Sequence, residues 1–143
     1  MQMRTGRFLF ALVIASLGAF AIAACGSNSG SSSTTGPSSP TTAPADAVST
    51  NTITITNSVA TPKNIKVARG SQVTFINNDN QSHMMNSDPH PDHTDCPEIN
   101  QVGFLNPGES RQTGNMTSNR SVCGFHDHNL PNVAGLQGSI TIQ

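Results

Sequence analysis

The chain has 143 residues, seven Lys and Arg against eight Asp and Glu, five His, three Cys and neither Trp nor Tyr. A nearly neutral chain with no basic stripe excludes nucleic acid as a partner class. It also spells out no Gly-rich phosphate loop, no paired carboxylates and no nucleophile–base motif, so the expectation is a binding or carrier protein without a small-molecule substrate, not an enzyme.

The N-terminus reads as an export signal, residues 1–24. Arg4 and Arg7 precede an apolar run from Phe8 to Ala24, about 17 residues and short for a spanning helix. The run ends in Ile22-Ala23-Ala24 directly before Cys25. Ile22-Ala23-Ala24-Cys25 resembles the lipobox of bacterial lipoproteins. That resemblance implies cleavage before Cys25 and a lipid on its sulfur, which holds a protein on a membrane surface without a spanning segment. The alternative is an ordinary signal in which Cys25 is incidental. Either way the chain is expected outside the cytoplasm, facing the periplasm or the cell exterior. Residues 25–50 are mostly Ser, Thr, Gly, Pro and Ala, with Asp46 the one charge. Such a segment buries too little apolar surface to offset the entropy of ordering it and is expected to be a flexible linker.

The remainder, residues 51–143, is read as one domain with five basic and seven acidic side chains. Thr52-Ile53-Thr54-Ile55-Thr56 alternates as a half-buried strand does. Ile65-Lys66-Val67 continues the alternation after Pro62, and Arg69-Gly70 is a turn. Gln72 to Ile76 is a third strand, closed by Asn77-Asn78-Asp79-Asn80. A long Asp/Pro/His stretch runs from Ser87 to Asn100. Val102 to Leu105 is a short strand before the turn Asn106-Pro107-Gly108. Ser110 to Thr117 and Arg120 to Phe125 are weaker strands, and Ser139-Ile140-Thr141-Ile142 closes the chain. No helical apolar stripe occurs in the domain. Six to eight short strands in this length predict an all-β sandwich.

The order of Val73-Thr74-Phe75, Asn77-Asn78, His83, Pro107-Gly108-Glu109-Ser110, Cys123-Gly124-Phe125-His126 and the closing Gly138-Ser139-Ile140-Thr141-Ile142 resembles the cupredoxins, most of all plastocyanin and amicyanin. The resemblance covers the whole domain and implies a Greek-key β-sandwich holding one type 1 copper ion. It implies His83, Cys123 and His126 as the metal ligands. The family's weak axial methionine falls on Leu136, which cannot coordinate, so His128, Met84 and Met85 are candidates for a further ligand. The implied function is single-electron transfer between redox protein partners by a membrane-anchored monomer, with Phe125 and Leu130-Pro131 shielding the metal. A thiolate and two imidazoles are indeed the donor set of a blue-copper site.

Two features leave alternatives open. An exported domain with Cys96 and Cys123 forms a disulfide by default, which removes the thiolate. The domain is then a bridged copper-binding or copper-handling protein that uses His and Met without electron transfer. All five histidines also fall between positions 83 and 128. Pro89-His90-Pro91-Asp92-His93-Thr94-Asp95-Cys96 is an H-x-x-H-x-x-C run that fits either a second Zn or copper site or a solvated polar loop. A third reading is a metal-free sandwich that serves as an interaction module.

Overall fold

A computed structural model describes residues 42–143. The expected signal segment, Cys25 and the expected linker as far as residue 41 lie outside the described residues.

Among the described residues ten strands form two sheets: β1 (Val48–Ser49), β2 (Thr52–Thr56), β3 (Val59–Thr61), β4 (Asn64–Val67), β5 (Thr74–Asn77), β6 (His83–Ser87), β7 (Gly103–Leu105), β8 (Ser110–Gln112), β9 (Val122–Asp127) and β10 (Gly138–Ile142). The larger sheet has the order β1-β4-β10-β9-β6-β7, the smaller β3-β2-β5-β8. The sequence predicts six to eight strands, and seven of the ten fall within segments it marks as strands. The others carry little apolar periodicity. β1 is two residues pairing in parallel with β4, with the nearby Asp46 carboxylate accepting from the Asn64 side chain. Ordered pairing therefore begins at Val48, ahead of the boundary that composition suggests. β3 is the return arm of a hairpin whose two turn residues, Asn57 and Ser58, sit at φ 51° and 58°. That is the conformation a two-residue hairpin turn requires. β6 is His-Met-Met-Asn-Ser, whose character comes from burial between neighbours and not from its own alternation.

The inner faces of the two sheets enclose the core. Ile53, Ile55 and Phe75 of the small sheet meet Ile65, Val67, Met85, Phe125 and Ile140 of the large one, all essentially inaccessible. Phe75 and Phe125 pack edge to face with ring centres 5.3 Å apart, an arrangement that adds about 0.5–1.5 kcal/mol to the area they bury. Leu136, the predicted axial position, is fully buried in a short 3-10 helix (Ala134–Leu136), where it belongs to the core cluster.

Cys96 and Cys123 form a disulfide, both fully buried, with Cα atoms 5.8 Å apart. The bridge ties the Asp/Pro/His loop to the start of β9 and closes a loop with a sequence separation of 27. Closure of that length constrains the unfolded chain by about 3–4 kcal/mol. The double variant Cys96→Ala, Cys123→Ala is expected to lose about that much stability in guanidinium unfolding. A loss under about 1 kcal/mol would show that the bridge adds little.

Candidate metal centre

Strand β9 decides what the Cys-x-x-His spacing means here. Successive side chains on a strand point to opposite faces, so residues three apart cannot share one. β9 stays in register past the motif: Cys123 opposes Ile140 and Phe125 opposes Gly138 on β10, while His126 opposes Asn86 and Asp127 opposes Met85 on β6. Cys123, Phe125 and Asp127 therefore face the core, and Gly124, His126 and His128 face outward. The trigonal set of His83, Cys123 and His126 that the resemblance implies is not assembled. The Cys123 sulfur is in the disulfide and on the wrong face.

His83 is also turned into the interior. It shares its face of β6 with Met85 and Ser87, all buried. Its Nδ1 lies 2.7 Å from Asp127 Oδ2 and its Nε2 lies 3.0 Å from Asp79 Oδ2. Each ring nitrogen is therefore engaged by a carboxylate oxygen, and neither is turned toward the outer face where a metal could reach it. Asp79 also accepts the backbone N–H groups of Asn57 and Ser58 at the hairpin turn. Burial works to raise the Asp79 pKa, but the hydrogen bonds from Ser58, His83 and Asn57 outweigh it and hold the carboxyl below its ordinary value. The network is a polar strut linking the two sheets. Met85 is a core side chain, whereas Met84 lies on the outer face, its carbonyl accepting the His128 N–H at 2.7 Å.

The outer face carries a different donor set. His126 and His128, two apart on one strand end, project from the same side, and the loop after β6 folds back over them with His90 and His93. One ring nitrogen from each of the four lies within 4.8 Å of the others. Ring centres are 4.8 Å apart for His93–His128, 5.0 Å for His90–His128 and 5.1 Å for His93–His126. The loop is fixed by Asp95 N–H donating to the Asp88 carbonyl, Cys96 N–H to Ser87 Oγ, and Asn100 Nδ2 to the His93 carbonyl. His93 itself sits at φ 51°, a left-handed conformation that histidine tolerates at modest cost. In the H-x-x-H-x-x-C run, then, the two histidines join the outer cluster and the cysteine anchors them from within the core.

His126 is the most strongly positioned of the four. It is 2% exposed, its Nδ1 lies 2.6 Å from Asp88 Oδ1, and its Nε2 is buried with no hydrogen-bond partner. Because Nδ1–H donates to the Asp88 carboxylate, the lone pair of the neutral ring lies on Nε2. A buried, unpartnered lone pair costs free energy unless something accepts it. A carboxylate behind an imidazole is also the usual outer partner of a metal-bound histidine. Gly124 makes room for this contact, since any side chain there would collide with the Asp88 carboxylate. His93 Nε2 and His128 Nδ1 are 3.1 Å apart, so one of these rings lends the other a proton. Burial lowers the His93 pKa first, and the rings of His126, His128 and His90 lower it further. His93 thus favours its neutral imidazole, the form that binds metal. Such donors suit Zn, Cu, Fe and Ni, whereas Mg and Ca prefer oxygen ligands.

Asp88→Ala is expected to weaken metal binding about 10–100-fold, with Asp88→Asn recovering part of the loss. Calorimetric titration of both variants checks this, and an unchanged affinity in Asp88→Ala would remove the carboxylate from the site.

No family model matches the sequence, and no curated protein does. Among solved structures, a mutant plastocyanin of fern aligns at 17% identity over 64% of this chain and 99% of its own, with a TM-score of 0.50. A reduced Cu(I) form of an amicyanin mutant aligns at 13% identity over 68% of this chain and 85% of its own, also with a TM-score of 0.50. A purple cupredoxin from Nitrosopumilus maritimus aligns at 19% identity over 66% and 100%, with a TM-score of 0.48. At such identities the likeness establishes the fold, and the domain is a cupredoxin-like β-sandwich.

Proposed function

We propose that this is a copper-binding protein whose cupredoxin-like domain holds one ion on His90, His93, His126 and His128, and that it binds and hands on the metal outside the cytoplasm. The observation that carries the reading is the buried, unpartnered His126 Nε2, aimed among three more imidazoles and backed by the Asp88 carboxylate. Imidazole serves both Cu(I) and Cu(II), which favours copper over metals with one accessible state. The export signal and Cys25 support a lipid-tethered location, with the linker letting the domain range near the membrane. This is a binding role and not a catalytic one.

A second reading, one-electron transfer to redox protein partners, draws support from the stiffness of the frame. The loop is tied by the disulfide and three hydrogen bonds, and His126 is held by Asp88. Ligands that move little between oxidation states keep electron exchange fast.

Both readings are tested by titrating the protein with Cu(II) while recording visible and EPR spectra, then by voltammetry of the loaded form. One Cu(II) per chain with nitrogen hyperfine structure and no intense thiolate-to-copper band is expected. Reversible one-electron voltammetry would favour the carrier. An intense thiolate band would return Cys123 to the metal, and no uptake at micromolar copper would leave an interaction module.

A further inference from the structure

The four histidines are unequally held, and the inequality has a direction. His126 is buried and fixed by Asp88. His93 and His128 hold each other at 3.1 Å. His90 is exposed, flanked by Pro89 and Pro91, and among the described residues no hydrogen bond fixes its ring. It touches the cluster through ring contacts alone, 5.0 Å from His128, 5.4 Å from His126 and 5.7 Å from His93, centre to centre.

On this side of the cluster a cleft of about 480 Å³ opens on the outer face of the large sheet. Lys63, Asn64, Gln137 and Ser139 line it, and Asp88, His90 and His126 of the cluster border it too. Lys63, whose ammonium reaches the Ala134 carbonyl at 3.0 Å, brings positive charge to a space large enough for a small anion beside the donors.

We infer that His90 is the exchange ligand of the site, and that the cleft admits a small anionic donor which takes its place on the ion. This rests on the four-imidazole reading above. The step is a ligand substitution: the incoming lone pair forms one bond to copper, the His90 nitrogen gives one up, and the oxidation state is unchanged. The remaining three imidazoles keep the ion while it waits for the next donor, so that the metal leaves by way of the cleft.

The test uses the full chain loaded with one Cu(II), challenged with azide in one arm and with excess EDTA in the other. His90→Ala, at an exposed position, is expected to melt like the wild type. Its copper is expected to bind azide at least about ten-fold more tightly than wild-type copper, because no imidazole must be displaced, and to pass to EDTA at least about ten-fold faster. Its copper affinity should fall, but by less than that of His126→Ala. Equal azide affinity and equal release rates in wild type and His90→Ala would overturn the assignment, as would a loss of copper as complete as in His126→Ala. A wild-type chain that takes up no copper would overturn the four-imidazole reading itself, and the two failures are therefore distinguishable.

Discussion

His126→Ala is expected to lower copper affinity by about three orders of magnitude, about 4 kcal/mol. The ring supplies the one donor atom of the cluster that is buried without a partner. It is oriented before any metal arrives, because the Asp88 carboxylate 2.6 Å from Nδ1 fixes both its tautomer and its rotation. A preorganised ligand loses little freedom on binding, so its removal forfeits nearly the whole of its contribution. Isothermal titration of the wild type and the variant measures the difference. Circular dichroism of the variant checks that the sandwich remains, since His126 lies on the outer face and its loss opens no void in the core. A loss smaller than about ten-fold would mean that the ion sits elsewhere on the domain.

His83→Leu is expected to do the reverse, destabilising the fold by about 3–5 kcal/mol while leaving copper affinity within a few-fold of the wild type. His83 bridges two carboxylates, Asp127 at 2.7 Å and Asp79 at 3.0 Å, with side chains 0% and 7% exposed. Leucine has about the right volume but takes the bridging imidazole away from both carboxylates. Urea unfolding gives the first quantity and copper titration the second. The resemblance to blue-copper proteins implies the opposite pattern, with His83 a ligand whose loss abolishes binding, so this one variant separates the two accounts.

The same strut carries a pH dependence. Asp79 has its folded pKa below the unfolded value, because its hydrogen bonds outweigh the effect of burial. Its contribution is therefore complete above about pH 4 and is lost as pH falls through the lower folded value. The gap in unfolding midpoint between wild type and Asp79→Asn should be full near neutrality and narrow below about pH 4. A gap that stayed constant down to about pH 3 would mean that the charge of Asp79 does not matter.

Much of this protein was legible before any coordinates. Thr52–Thr56, Gln72–Ile76 and Ser139–Ile142 alternate apolar and polar side chains with the period of a half-buried strand, and that period specifies which face turns inward regardless of what lies opposite. The histidine-rich interval was visible too, and His126 with His128 at a spacing of two is a one-face pattern on any strand. What the sequence left open were questions of face and proximity. Whether Cys123 and His126 point together or apart depends on whether the strand ends before the histidine, and β9 runs on because Asn86 and Met85 of β6 pair with it. Whether His90 and His93 are solvated or gathered depends on where their loop lands, and the loop is brought over β9 by a disulfide to a residue 27 positions away. His83 looked like a ligand because its chain position matched one. Its chemistry was decided by Asp79 and by Asp127, the latter 44 residues away in sequence, which occupy both of its nitrogens. Local periodicity determined the strands and the sandwich. The tertiary pairing of distant segments alone decided which donors meet, because a metal site depends on distances between atoms that the chain order does not encode.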